Sequence, residues 1–435
     1  MAVLFKNFKV FDEKFQVLDN YNVIVEGKKI VYMAESNKND VELFAKYDFE
    51  KTIDGSGKLL MPGFYNIHSH LAMSLLRGYA EDMKLQEWLF DNIFPFEARL
   101  NAEDIYWGTK LCIAESLRFG IVSATDMYMD AVANAEAVKE IGFKANLALM
   151  AENGKSSAPY PFPGAVETLA KYHNLDDDRV KLDAYIHAEY TTKEEFARQV
   201  AEYAKENKLN VHLHLSETQT EHEECKERRN GRTPAEYFND CGVFDNPTTA
   251  AHCVWVEPKD MEIFREKGVT VASNPVSNLK LASGIAPVKE MMDLGINIGI
   301  GTDGVSSNNN LNMLEEIKTL IMLQKVKTNN PVAVTTTEVM QAATVNGAKA
   351  QGRTDSGVIK VGNRADLVVL DIDKPYMYPQ HNLLNNVVYS AMGTDVVLTM
   401  VDGRILYDNG EYLTLDLAET VSQVEARRKR ILSEL

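Results

Sequence analysis

Residues 61–70, MPGFYNIHSH, decide how the rest of the chain is read. A short apolar strand runs into His68 and His70, a histidine pair at i and i+2. Successive strand side chains alternate faces, so both imidazoles point to one side and two neutral nitrogens converge on one point. Imidazole suits divalent transition metals, and a cation held by neutral ligands keeps enough Lewis acidity to activate water. An isolated pair of this kind is as readily two surface histidines at a strand end. The surrounding pattern has to carry the reading.

From residue 58 to about 364, apolar strands alternate with long helical stretches, the pattern of βα units on a parallel sheet. Eight candidate strands stand at 64–68, 121–127, 144–151, 180–188, 209–215, 248–255, 269–274 and 296–302. Eight such units make a TIM (β/α)8 barrel the economical solution. Stretches such as 102–120 show apolar spacing near 3.6 and end on Gly120, as helices do. On either side, residues 1–57 and 365–413 read as short alternating strands, with Gly-centred reversals at Gly27 and at Asp402-Gly403. The expected fold is α/β: a barrel over 58–364 and a small composite β-sandwich domain built from both termini, 1–57 and 365–435. Residues 416–435 close the chain as a surface helix whose Arg427–Arg430 run is a solvated face.

With 435 residues, 45% of them hydrophobic, the chain can bury a large core. Its N-terminus mixes charges into an apolar alternation, unlike a signal peptide, and no apolar run approaches the ~20 residues of a membrane span. Cys112, Cys225, Cys241 and Cys253 show no CxxC spacing and read as reduced thiols of a cytoplasmic protein. A formal net charge of -17 with no local basic patch argues against a nucleic-acid partner. Nothing in the sequence fixes an oligomeric state, and a homo-oligomer remains open.

Residues at the C-terminal ends of barrel strands meet at one face, wherever they lie in sequence. Read in order, those ends carry His68 and His70, His187, His212 and His214, His252, Asn274 and Asp303. Of nine histidines only His173, His222 and His381 fall elsewhere. His212 and His214 share a face of their strand, and the one nearer the mouth, His214, can reach an ion between His68 and His70. His212 then belongs to the barrel core behind the ligands. Asp303, in GIGTDG, ends an apolar strand, where a carboxylate is costly without a partner. A metal or a bound water supplies one; capping of the next helix is the alternative. Glu217 follows three residues after His214, near the ion without ligating it, where a proton shuttle belongs.

Taken together, MPGFYNIHSHLAMSLLRGYAEDMKLQEWL, VHLHLSETQTE, AAHCVW, SNPVSNLKLASGIAPV, GTDGVSSNNNLNM and GNRADLVVLD resemble the amidohydrolase superfamily. The resemblance covers nearly the whole chain and is to the branch of S-adenosylhomocysteine and methylthioadenosine deaminases, related to triazine chlorohydrolases. It implies a barrel with a composite β-sandwich, metal ligands His68, His70, His214 and Asp303, and His252 holding or deprotonating the water. Glu217 is the implied proton shuttle and also touches substrate, while Glu97 contacts ribose hydroxyls and His187 the purine ring. Binuclear relatives carry a carboxylated lysine on strand 4; here that strand ends in DAYIHAEY, so one divalent metal per chain is expected, Zn2+ or Fe2+.

The reaction so implied is hydrolytic deamination of an adenosine-type nucleoside: methylthioadenosine, 5'-deoxyadenosine, adenosine or S-adenosylhomocysteine. Two alternatives stay open. One is another aminated heterocycle, a guanine, pterin or triazine; the other is a non-catalytic barrel serving as an interaction protein. Deaminases of the family that take S-adenosylhomocysteine hold its carboxylate with arginines after strand 3. Residues 150–178 contain none. Lys155 is the nearby cation that could substitute, and Tyr160, Phe162, Pro159, Pro161 and Pro163 make the loop apolar, so uncharged 5' groups are the expected preference.

Overall fold

The computed structural model describes residues 2–37, 40–150 and 159–435. Strands β1 (Ala2–Phe11), β2 (Val17–Glu26), β3 (Lys29–Glu35), β4 (Phe49–Asp54) and β5 (Lys58–Pro62) lead into β6 (Phe64–Ser69) and β7 (Ile121–Asp126). Then follow β8 (Lys144–Ala148), β9 (Val180–Tyr185), β10 (Val211–Leu215), β11 (Thr248–His252), β12 (Thr270–Ser273) and β13 (Ile298–Ile300). The chain ends through β14 (Leu367–Asp371), β15 (Val396–Val401), β16 (Arg404–Asp408), β17 (Glu411–Tyr412) and the helix Leu417–Glu434.

Strands β6 to β13 form one parallel sheet in sequence order, with helices between them. Each of the eight stretches expected from the sequence holds one of these strands. Seven of them, all but β9, are buried at every position, as parallel strands covered on both faces must be. A parallel bridge between Ser69 and Asp303, with the Asp303 amide donating to the His68 carbonyl at 2.9 Å, returns the last strand to the first. The near-closed barrel this makes gathers the strand ends at one mouth.

The closure depends on two glycines of the GTDG segment. A Cβ on Gly301 would stand 2.2 Å from Asn274 Oδ1 and 2.7 Å from the His68 Cβ. One on Gly304 would stand 2.7 Å from the Met73 sulfur. Only a residue without a side chain lets this backbone lie so close to the histidine strand.

The other strands build a separate mixed sheet from both ends of the chain. β1 pairs antiparallel with β2 and parallel with β4 and β5; β5 continues through antiparallel β14, β15 and β16 to β17. Val3, Phe5 and Val23 share one buried cluster with Leu367, Val369, Leu398 and Met400, so the two ends enclose a common core. Gly27 (φ 57°) and the pair Asp402-Gly403 (φ 48° and 74°) make the two tight reversals in left-handed conformations.

The terminal helix differs from the solvated face expected of it. It packs on the helix Ala102–Arg118, with Arg427 bound to Glu103 at 3.1 Å and lying over the Trp107 ring at 5.6 Å. Arg430 joins Asp104. The attraction is local: Glu103 and Asp104 form the acidic first turn of the receiving helix, and two arginines one turn apart meet them. No helix among the described residues is long and apolar enough to cross a membrane.

Candidate metal centre and substrate cavity

His68, His70, His214 and Asp303 present one ligand atom each, all within 4.8 Å of one another. The His68 and His70 Nε2 atoms stand 3.2 and 3.1 Å from Asp303 Oδ1, and His214 Nε2 lies 3.4 Å from His70 Nε2. The tautomers follow from the partners behind. His70 Nδ1 donates to the Met127 carbonyl at 2.6 Å and His214 Nδ1 to the His187 carbonyl at 2.9 Å. Both Nε2 atoms therefore carry lone pairs, and they face each other. His68 Nε2 is buried and completes no hydrogen bond. Converging lone pairs beside a carboxylate are unfavourable until a cation stands between them, so the donor set fits a divalent metal. Burial also keeps His68 and His214 neutral: desolvation lowers His68 to about 4 and takes His214 well below its usual value, while at His70 the loss of water is outweighed by Asp303 and the ring is raised.

The residues behind these four donors are themselves held by hydrogen bonds. His212 Nε2 meets His68 Nδ1 at 3.0 Å, the supporting role expected of it. Ser277 and Ser307 donate to Asp303 Oδ2 at 2.6 and 2.8 Å, leaving Oδ1 toward the histidines. His252 Nδ1 donates to Asn278 Oδ1 at 2.8 Å, with Asn274 beside it at 3.2 Å. Its Nε2 faces Glu217 Oε2 at 3.8 Å. Burial raises the Glu217 carboxyl, with Asp303 adding to the effect and His252 opposing it.

Backbone conformation clusters here too. Ser216 (φ 47°), His252 (72°), Cys253 (49°) and Asp303 (61°) are all left-handed without being glycine. Such residues persist where the surroundings over-determine them, and these four turn β10, β11 and β13 into the mouth.

Above the cluster lies a cavity of about 940 Å³, lined by His70, His214, Glu217, His252 and Asp303 at one end. Glu97 and His187, the two expected substrate contacts, stand on its wall. Glu97 ends the short helix Phe94–Glu97, and loss of water around it pushes its carboxyl up to about 7, with Tyr128 pulling the other way. His187 Nδ1 pairs with Thr191 at 2.9 Å, and burial lowers it to about 4. Seven of the eight expected site residues thus stand on the wall of one cavity, and the eighth, His68, meets Asp303 behind it. It adds Tyr128, Ser277, Asn278 and Ser307, which the sequence did not single out. Tyr128 was findable as the second residue past the end of β7.

Lys155 lies outside the described residues. Tyr160 departs from the expected loop wall: its ring packs against Phe196 and Tyr203 at 5.6 and 5.4 Å, and its hydroxyl donates to the Leu149 carbonyl at 3.3 Å. The apolar wall comes instead from Trp88, Leu89, Ile93, Met127, Met129 and Met150.

Comparison with known proteins bears on this site. The amidohydrolase family model matches residues 59–406. A 5-methylthioadenosine/S-adenosylhomocysteine deaminase of Dictyoglomus turgidum is 42% identical over 98% of this chain and 98% of its own. A 5'-deoxyadenosine deaminase of Methanosarcina acetivorans is 39% identical, covering 96% of this chain and 94% of its own. Among solved structures, an adenosine deaminase from Xanthomonas campestris with bound zinc superposes with a TM-score of 0.91. It is 30% identical and covers 99% of this chain and 98% of its own. By the extent of the family match and by these relatives, the chain belongs to the amidohydrolase family.

Proposed function

We propose that this chain hydrolytically deaminates adenosine-type nucleosides, 5'-methylthioadenosine, 5'-deoxyadenosine, adenosine or S-adenosylhomocysteine, to their inosine analogues with release of ammonia. The observation that carries the reading is a buried Glu217–His252 pair, 3.8 Å apart, beside a three-histidine, one-aspartate cluster at the end of a large cavity. The names of the relatives support the same substrate class.

A single divalent ion held by His68, His70, His214 and Asp303, Zn2+ by the nitrogen and oxygen donors, would supply the Lewis acidity that makes water a nucleophile at neutral pH. The residues do the rest. His252, its Nδ1 fixed by Asn278, offers Nε2 to the attacking water and with Asp303 takes up its proton. Glu217 delivers a proton to purine N1, which makes C6 electrophilic; burial raises its carboxyl, in the direction that favours carrying that proton. The water oxygen bonds to C6, the proton taken up by His252 and Asp303 passes to the exocyclic nitrogen, and the C6–N bond breaks to free ammonia as the hydroxyl proton of the adduct returns to Glu217, leaving C6=O and N1–H. Glu97 receives the ribose hydroxyls and His187 orients the ring. The barrel within residues 58–364 forms the catalytic unit in this reading, and the two terminal parts, 1–57 and 365–435, form the supporting one together with β5 (Lys58–Pro62).

An ammonia-release screen over aminopurine nucleosides, free bases and pterins tests the reading. Adenosine-type nucleosides should be turned over best. Faster release from guanine or a pterin would replace the nucleoside assignment by that heterocycle.

A further inference from the structure

Ser216 sits between the ligand His214 and the shuttle Glu217 and is held at every polar atom. Its amide donates to Glu221 Oε1 at 3.0 Å, and the next amide, that of Glu217, donates to Glu221 Oε2 at 2.8 Å. Its hydroxyl meets His222 Nδ1 at 3.2 Å, and His222 Nε2 meets Glu257 Oε1 at 3.1 Å. Its carbonyl accepts from the Val254 and Trp255 amides at 3.1 and 3.0 Å, while the Cys253 amide donates to the Leu215 carbonyl at 3.0 Å. The same few bonds thus tie the turn that carries Glu217 to the turn that carries His252. Both turns are left-handed, at Ser216, His252 and Cys253, and would relax without restraint.

Glu221 spends both oxygens on two successive amides and is 2% exposed. It stands in the first turn of the helix Gln219–Arg228, one turn from Glu217, and is not part of the cavity wall. Two acceptor oxygens on successive amides fix the backbone at two points at once. We propose that Glu221, through its clamp on the Ser216 and Glu217 amides, is a positioning residue for proton transfer, holding the Glu217 carboxyl in register with His252. His222 and Glu257 brace the same turn from behind. The inference rests on Glu217 moving the proton in the proposed deamination. A misplacement of about 1 Å at a reacting group can cost ~10²-fold in rate, so a clamp outside the cavity can govern turnover.

The test is a double-mutant cycle on the metal-loaded enzyme with methylthioadenosine, reading kcat, KM and metal content for Glu217→Gln, Glu221→Gln and the double variant. Glu221→Gln turns one acceptor into a donor facing an amide and keeps the size. It should lower kcat ~10- to 100-fold, change KM little and leave the metal in place. In the Glu217→Gln background it should cost nothing further, because the group it positions is gone. An equal loss of kcat in both backgrounds, or a loss confined to KM or metal content, would overturn the inference and leave Glu221 a structural residue. Wild-type turnover in Glu217→Gln would overturn the deamination role of Glu217 and this inference with it. Should Glu221→Gln prove insoluble, Glu221→Asp, which keeps a carboxyl but shortens its reach to the two amides, enters the same cycle with the same requirement of non-additivity.

Discussion

Two buried polar clusters lie at different places in this barrel, and they are built on opposite principles. Lys144, at the start of β8, meets Asp366 Oδ2 and Asp402 Oδ1 at 2.6 Å each. The Tyr65 hydroxyl donates to Asp366 at 2.6 Å, the Asp402 amide donates to it at 2.8 Å, and Arg179 and Arg364 approach Asp402 at 3.5 and 3.4 Å. Charges of both signs answer one another where the barrel meets the mixed sheet. At the mouth, three imidazoles and a carboxylate converge, and His68 Nε2 completes no hydrogen bond. A charge-balanced cluster, even with Asp402 Oδ2 short of a hydrogen bond, holds two parts of a fold together; converging lone pairs with no cation among them are a demand for a ligand. Burial alone does not separate the two. Partner count and sign do.

The largest effect that would break this contrast is ligand removal. His68→Ala or Asp303→Asn should reduce the bound metal from about one equivalent per chain to a small fraction and abolish ammonia release, while folding is retained because Lys144 and its partners are untouched. Elemental analysis beside circular dichroism reads both. Two tightly bound equivalents in the parent enzyme, both needed for activity, would refute the single-metal assignment.

Next in size is Glu217→Gln. The amide keeps the shape but cannot carry the proton, so kcat should fall ~10² to 10⁴-fold with the metal retained. Loss of metal instead would make Glu217 a ligand, and unchanged turnover would remove it from the mechanism.

The reciprocal change belongs to the other cluster. Lys144→Met leaves Asp366 and Asp402 buried without their lysine and should cost about 3–5 kcal/mol of stability, read as a lower urea midpoint. Protein that remains folded should bind metal and substrate as before. Selective loss of metal in this variant would show that the two clusters are not independent.

Most of the converging donor set was legible in the sequence because its signals are local: HxH at 68–70 and 212–214, and a strand ending in GTDG. Strand order alone then brought these ends together. What stayed illegible depends on distant partners. Ser277 and Ser307 read as ordinary small polar residues until the fold carries both to Asp303. Asn278 gains meaning only from His252, and the left-handed turns at His252 and Cys253 have no glycine to announce them. The terminal arginines looked solvated because the acidic turn that receives them lies more than three hundred residues earlier. Glu221 was visible four residues after Glu217, but nothing in that spacing says that its two oxygens hold successive amides.

The cavity wall tests the contrast most finely, since it too contains charge without complement. Among the described lining residues, the acidic side chains are Glu97, Asp130, Glu217 and Asp303, of which burial raises Glu97 and Glu217, and none is lysine or arginine. A nucleoside with an uncharged 5' group meets the methionines and Trp88, to which a thioether or methyl group is well suited. S-adenosylhomocysteine brings a carboxylate that would lose water and find like charge instead of a guanidinium fork. Lys171, on the helix Ala165–Tyr172, is no substitute: it is exposed and approaches Glu136 at 3.7 Å. An unanswered buried charge costs about 1–3 kcal/mol or more, which corresponds to ~10- to 100-fold in specificity. We therefore expect kcat/KM for methylthioadenosine, 5'-deoxyadenosine and adenosine to exceed that for S-adenosylhomocysteine by ~10-fold or more. Parallel kcat/KM measurements on the four nucleosides decide it. A preference for S-adenosylhomocysteine that Lys155→Ala abolishes would mean that this lysine supplies the missing positive charge, and the mouth of the barrel would then be answered on its outer side as the lower cluster is within.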